Sequence, residues 1–335
     1  MKKEQWRCTV SSFLLPLFFI LCSLYFSPIK AQFTFVELNC ENLFDCHDDS
    51  LKQDEEYLPE ATRHWTKKRY WKKLDNIAQE ILSCSEDGVP DMIALCEVEN
   101  DSVMRDLTKR SLLRNAGYDY LMTNSPDLRG IDVALVFSPF SFLPISHQSI
   151  RITPVENMRP TRDILYVSGR VVSGDTLHVF VVHAPSRYGG ERYSRPFRLA
   201  VVDRLCQAVD SIQAAATDAH ILIAGDFNDD ADSPALKQIG RHHIRHLTKD
   251  AHGANGVRGT YRYKGKWESI DHVLGSPAIY NKVDTAYVHA PLFLLEDEKQ
   301  YGGNRPRRTY NGMRYQPGYS DHLPLVVKLR FESKE

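Results

Sequence analysis

Short uninterrupted apolar runs alternate along this chain with stretches of helical period, and each kind of pattern predicts its own element. Ile221 to Ala224 is wholly apolar and leads into Gly225-Asp226-Phe227-Asn228, so it predicts a fully buried strand with Gly225 turning the chain at its end. Similar runs predict strands over Asp91–Cys96, Tyr118–Met122, Asp132–Phe137, Glu268–Leu274 and Pro324–Phe331, while the weaker alternation of Phe33–Leu38 predicts the first strand. Ile164–Val172 and Thr176–Val182 flank Ser173-Gly174-Asp175 and predict a hairpin. Two stretches carry the helical period instead. Over Thr66–Leu82, Trp71, Leu74, Ile77, Ala78 and Ile81 share one face, with Lys67, Lys68, Lys72 and Lys73 facing out. Over Arg195–Ile212, Leu199, Val202, Leu205, Val209 and Ile212 share a face and Pro196 suits the first turn. A further helix is expected over Ser102–Asn115. Strands mixed with helices and hairpins argue for mixed rather than purely parallel sheets.

The N-terminus does not belong to that pattern. Lys2, Lys3 and Arg7 precede an apolar run from Val10 to Phe26, then Pro28 and the small Ala31, the layout of a secretory signal peptide cleaved after Ala31. An uncleaved membrane anchor is the alternative, because the run is near the lower length limit for a span. The bulky Leu21 before Cys22 argues against a lipoprotein site. The expected organisation is therefore a targeting segment over 1–31 and one domain over 32–335, secreted or periplasmic. Composition agrees with a soluble domain, at 42% hydrophobic and 25% charged over 335 residues. Removing residues 1–31 deletes four Lys/Arg and one Glu, leaving 38 basic against 42 acidic residues, a formal −4. A protein that coats nucleic acid with a broad basic face is usually strongly positive, so any polyanion must be held locally. Five cysteines remain, Cys40, Cys46, Cys84, Cys96 and Cys206; the number is odd, and free structural thiols are expected.

The polar residues that end the apolar runs carry the chemistry. Asn39, Glu97, His183, Asp226 with Asn228, Asp271, and Asp321 with His322 each close a predicted strand or open the next. Gly, Asp and Asn also dominate ordinary turns, so any single member has a bland reading. Together they supply carboxylates for a hard divalent cation, amides for phosphate oxygens and two histidines for proton transfer.

The motifs Leu38-Asn39, Cys96-Glu97-Val98, Val182-His183-Ala184-Pro185-Ser186, Gly225-Asp226-Phe227-Asn228, Ile270-Asp271-His272 and Ser320-Asp321-His322-Leu323-Pro324, in that order, resemble the endonuclease/exonuclease/phosphatase superfamily across about Phe33–Phe331. The resemblance implies a deoxyribonuclease I-like α/β (α+β) fold, a four-layer sandwich of two mixed β-sheets flanked by helices. It also implies roles. Glu97 would be the principal Mg²⁺ ligand, with Mn²⁺ or Ca²⁺ as alternatives, Asn39 at the metal or phosphate, and Asp321 on the metal side. Asp226 and Asn228 would hold the attacking water and the phosphate, Asp226 also lying at the metal. His322, oriented by Asp271, would be general base or phosphate contact. His183 would donate to a phosphate oxygen or the leaving group, with Asp132 as its orienting carboxylate, and Arg162 would clamp phosphate.

The implied substrate is a phosphate ester, with nucleic acid placed first and phospholipid head groups or small phosphate esters second; no obligate protein partner is evident and a monomer is expected. Asn228-Asp229-Asp230 and Asp271-His272 match neither the inositol-phosphatase nor the abasic-site pattern of the superfamily. Arg305, Arg307, Arg308 and Arg314 with Tyr310, Tyr315 and Tyr319, joined by Arg187, Arg192 and Arg195, either grip a polyanion or form a surface loop matched to Glu296-Asp297-Glu298. His242, His243, His246 and His252 lack companion ligands at zinc spacing.

Overall fold

The apolar runs become strands stacked in two layers in the computed structural model, which describes residues 30–86 and 88–332. In chain order the strands are β1 (Lys30–Leu43), β2 (Met92–Val98), β3 (Asp119–Met122), β4 (Asp132–Phe137), β5 (Phe142–Ile150), β6 (Ile164–Val171), β7 (Thr176–His183), β8 (His220–Asp226), β9 (Arg245–His246), β10 (Tyr261–Tyr263), β11 (Lys266–Glu268), β12 (Asp271–Gly275), β13 (Val283–Val288), β14 (Leu295–Asp297), β15 (Asn304–Pro306), β16 (Tyr310–Asn311), β17 (Arg314–Tyr315) and β18 (Leu325–Glu332). One six-stranded sheet runs β13-β18-β1-β2-β4-β3 and the other β5-β6-β7-β8-β12-β9. Each holds a single parallel pair, β1 with β2 and β7 with β8, among antiparallel neighbours. The helices that make those two parallel crossovers are α1 (Lys67–Ser83) and α3 (Glu191–Ala215); α2 (Asp101–Lys109), α4 (Pro234–Gly240) and α5 (Pro277–Tyr280) are shorter.

Apolar side chains bury in three layers. Phe35, Ala94, Leu135, Val179, Leu222, Val273 and Val327 meet between the sheets. Val36, Leu38, Leu95 and Val136, on the other face of the first sheet, pack on Leu74, Ile77 and Ile81 of α1. Val182, Ile221 and Ile223 of the second sheet pack on Val202, Leu205 and Val209 of α3. The order helix, sheet, sheet, helix is the expected four-layer sandwich. Each buried Leu, Ile or Val contributes about 1.5–3 kcal/mol. Cys40, Cys46, Cys84, Cys96 and Cys206 are all free and buried.

Several local expectations are corrected. Lys73 does not face solvent: it is 1% exposed, and its ammonium donates to Thr309 Oγ1 (2.7 Å) and the Tyr319 carbonyl beside Glu41. The pattern misreads it because a long basic stem can cross a helix face to reach partners in another segment. The helix expected from Arg195 starts at Glu191, so Pro196 lies inside α3 rather than in its first turn. The helix expected over Ser102–Asn115 breaks into α2 and a 3₁₀ turn at Leu112–Asn115. Glu268–Leu274 divides between β11 and β12, and β5, an edge strand with mostly exposed side chains, has no apolar run to announce it. The candidate signal segment lies outside the described residues, apart from Lys30 and Ala31 at the start of β1.

Candidate active site

Strand register places three of the polar residues in a row. β7 pairs with β8 so that His183 lies opposite Asp226, and β8 pairs with β12 so that Asp226 lies opposite Asp271. Gly225 makes this possible, but not by turning the chain. It sits inside β8 at φ +143°, and a Cβ there would stand 1.8 Å from the Val182 carbonyl oxygen, so the close approach of β8 to β7 requires glycine. Asp226, 2% exposed, then accepts from the Asn228 amide (2.7 Å), Asn228 Nδ2 (3.2 Å) and Asn39 Nδ2 (3.1 Å). The last of these bonds joins the two sheets. Asn228 reaches back because its backbone is left-handed, φ 50°, and its Nδ2 also donates to the Ala184 carbonyl (3.1 Å).

The first sheet supplies Asn39 and Glu97 through a defect in its ladder. The pairing of β2 with β4 skips between Cys96 and Val98, and Glu97 in that bulge takes φ 61°. Its carboxylate accepts from the Asn42 amide (2.8 Å), while Oε1 stands 3.7 Å from Arg129 and 3.9 Å from His183 Nε2. Beneath the row, Glu37 of β1 is fully buried, with no hydrogen bond on either oxygen among the described residues. Burial, then Asp271 and Asp226, hold its pKa well above the usual carboxylate range.

His322 arrives from the segment before β18. Ser320 Oγ donates to the Asn39 carbonyl (2.5 Å) and accepts from the His322 amide (3.1 Å), which fixes the loop against β1. His322 Nδ1 then meets Asp271 Oδ2 at 2.8 Å, and Thr260 Oγ1 donates to the same oxygen. Tyr261 lies over the imidazole, with ring centroids 4.9 Å apart. Burial opposes a charge on His322, but Asp271, Asp321 and Asp226 outweigh it and hold its pKa well above the ordinary imidazole value. His183 goes the other way. Burial, then the positive Arg162, Arg129 and His322, push it well below. Burial, then Asp271, raise Asp226 to about 7. The row thus holds a neutral imidazole, a carboxylate that takes a proton near neutrality and an imidazolium–carboxylate pair.

Two expected roles are not supported by position. Arg162 does not point at a phosphate: 7% exposed, it bonds Asp127 (3.0 Å) and the carbonyls of His183 (3.3 Å) and Ala184 (2.8 Å), so it pins the backbone that carries His183. Asp132 does not orient His183. It accepts from Thr123 Oγ1 (2.5 Å) and the Ser125 amide (3.1 Å), and His183 Nδ1 has no partner among the described residues. Arg162 lies in the segment before β6 rather than on a strand, and Asp132, at the start of β4, is taken up by Thr123 and Ser125, so each side chain meets other partners. Asp321 lines the cleft, paired with Arg308, which with His322 overcomes burial and holds its pKa below the usual value. Glu41, two residues after Asn39, was not singled out; it accepts from the Thr309 amide (2.6 Å) and faces Lys73 (3.4 Å) and Arg308 (3.8 Å). The spacing Asn39-x-Glu41 at the end of β1 was the available signal. In the arginine-rich segment, Arg305 is bonded to Glu296 (2.8 Å) and Glu298 (3.1 Å), and Arg187 to Glu268.

The donor set suits a hard cation, since Glu97, Asp226, Asn39 and Asp321 offer only oxygen ligands. Asp226, Asp271 and His322 also have ligand atoms within 4.8 Å of one another. We read those last two as a hydrogen-bonded pair, because His322 Nδ1 already faces Asp271.

A two-sheet sandwich with this site in a cleft of about 620 Å³ defines a phosphoric-ester hydrolase class. The model of the endonuclease/exonuclease/phosphatase family matches residues 34–331, and the chain belongs to that family, whose members are generally dependent on divalent metal. No curated protein matches the chain. Among solved structures, an endonuclease/exonuclease/phosphatase family protein from Bacteroides thetaiotaomicron is 15% identical, TM-score 0.58, covering 90% of this chain and 99% of that one. A mannosyl-6-phosphatase from Bacteroides thetaiotaomicron VPI-5482 is 14% identical, TM-score 0.61, covering 89% and 100%. The human Nocturnin catalytic domain with a bound sulfate anion is 19% identical, TM-score 0.54, covering 90% and 95%. At these identities the likeness is one of fold.

Proposed function

We propose that this protein is a divalent-metal-dependent phosphodiesterase that cleaves nucleic acid. The reading rests on one observation: the charged His322–Asp271 pair adjoins Asp226, ligand atoms of the three lying within 4.8 Å of one another, at a cleft that Asn228, Tyr188, Tyr261 and Tyr263 also line. Tyrosine faces give bases a surface to stack on. Glu97, with Asn39 and Asp226 beside it and Asp321 opposite, would hold the cation, which when bound neutralises phosphate charge and polarises the ester. The chain's own residues do the rest. Asp226, aligned by three N–H bonds, accepts the proton of the attacking water, and Asn228 holds that water in line. His322, its Nδ1 fixed by Asp271, gives its Nε2 proton to the ester oxygen that leaves as the P–O bond breaks. Neutral His183 contributes a hydrogen bond to the phosphate rather than a proton. Export through the N-terminal segment belongs to the same proposal.

The test is hydrolysis of plasmid DNA, RNA, bis-p-nitrophenyl phosphate, sphingomyelin and an inositol phosphate, in Mg²⁺ or EDTA, with His322→Ala alongside. Metal-dependent cutting of nucleic acid that the variant loses by about 10²–10⁴ is the expected result. Turnover of the lipid or small esters alone would overturn the nucleic-acid reading in favour of the second substrate class.

A further inference from the structure

Beside the catalytic cleft lies a second cavity, of about 280 Å³, that the reaction at the row of strand ends does not use. Arg129, Ser186 and Tyr188 line both spaces, so the two adjoin. Arg129 marks the border: its guanidinium donates to Asn42 Oδ1 (2.6 Å) and stands 3.7 Å from Glu97 Oε1. Past it the wall is apolar and aromatic, made by Leu128, Met158, Tyr188, Tyr193 and Phe197. Tyr188 is 87% and Tyr193 54% exposed, so both rings are open to a ligand arriving from solvent. Tyr193 is held edge-on by Phe197 (centroids 5.3 Å, 84°) and lies across Gly189, where a Cβ would come within 2.8 Å of its ring. That glycine, at φ +78°, therefore leaves room for the tyrosine.

We propose that this cavity is a base-binding subsite: it takes the planar heterocycle of the nucleoside next to the scissile phosphate. The inference rests on the nucleic-acid reading above and narrows it. Because the two spaces share those three residues, a nucleoside whose phosphate lies in the cleft stands next to this cavity. Tyr188, Tyr193 and Phe197 present aromatic faces, and Gln53, Asn157, Arg159 and Ser186 set polar groups beside them. An acyl chain would find Gln53, Asn157 and Arg159 on the rim and the buried Thr161 hydroxyl, which has no hydrogen-bond partner among the described residues. A base satisfies both demands, with faces for Tyr188 and Tyr193 and polar edges for the rim.

The experiment uses the full chain and two short single strands with one cleavable phosphate each, identical except that one carries abasic units on both sides of it. Stacking of this kind is worth about five- to hundredfold per base, so kcat/KM is expected to favour the base-bearing strand by that factor, and Tyr193→Ala to bring the ratio towards one. Equal rates in the wild type, or a ratio that survives Tyr193→Ala, would overturn the subsite. If neither strand is cut, the nucleic-acid reading fails, and binding decides the cavity separately. His322→Ala protein is titrated with thymidine 3′,5′-bisphosphate and with deoxyribose 3′,5′-bisphosphate: tighter binding of thymidine by fivefold or more keeps a free-nucleotide subsite, and equal affinity removes it.

Discussion

Two histidines at the site carry different charges because their surroundings differ, not their chemistry. His183 and His322 are both buried, yet burial and three positive neighbours keep the first neutral while carboxylates keep the second charged. Replacing Asp271 by Asn takes away that counter-charge. The His322 resonance in an NMR titration is expected to fall towards the ordinary imidazole pKa, with activity dropping by about 10² or more; an unchanged His322 titration would show that Asp271 is not its partner. Arg162 belongs to the same scale. As a brace behind His183 rather than a phosphate contact, Arg162→Lys should lower kcat and thermal stability together while leaving the salt dependence of KM unchanged, which a true phosphate contact would alter.

At the scale of elements, what positions the site is the fit between neighbouring strands and the loops that leave them. Gly225→Ala drives a methyl group into the Val182 carbonyl, so the β7–β8 register must break or shift; a loss of about 4 kcal/mol or more in denaturant unfolding is expected. The loop after β8 is tied to α3 by Arg198, fully buried, which bonds Asp229 (3.0 Å) and Glu191 (2.6 Å). Arg198→Ala leaves the Asp229 carboxylate buried without its partner and should cost about 3–5 kcal/mol. Much of this scale was legible beforehand. The apolar runs ending in Glu97, His183 and Asp226 did become strands, because an uninterrupted apolar segment bounded by polar residues has few other ways to bury itself. The bulge that turns Glu97 and the left-handed Asn228 were not legible, since both depend on the partner strand.

Across the whole molecule, two titrating groups away from the cleft bear on stability. Glu80 of α1 is fully buried with no hydrogen bond on either oxygen among the described residues, and burial raises its pKa to about 8. Between the unfolded value near 4.5 and 8, the folded chain holds a proton that the unfolded chain has released, so stability falls as pH rises through that window. Glu80→Gln should flatten that part of the Tm-against-pH curve and melt higher than the wild type above pH 8; a parallel curve would place the dependence elsewhere. Glu99, just after β2 and accepting from the Asp45 amide (2.6 Å), is likewise raised to about 8 by burial and adds to the slope. The cation site proposed at Glu97 and Asp226 would exist only in the folded chain. Adding Mg²⁺ at about a hundred times its Kd should therefore stabilise the protein by about 2.7 kcal/mol, reversed by EDTA and absent in Glu97→Gln.

By itself the sequence determined most of the strands, the two long helices, that the sheets would be mixed, and which strand ends would carry carboxylates, amides and histidines, while the four-layer sandwich followed from the resemblance of its motifs to the family. Those are properties of local pattern and residue type, written along the chain. The tertiary structure decided what no local pattern holds. It paired His183 with Asp226 and Asp226 with Asp271, turned Arg162 and Asp132 away from the phosphate site, drew Lys73 inward to Glu41 and Thr309, and set an aromatic cavity beside the cleft. The reason is physical: each depends on strand register, burial and the meeting of residues far apart in sequence, and a one-residue change of register exchanges the faces on which side chains stand.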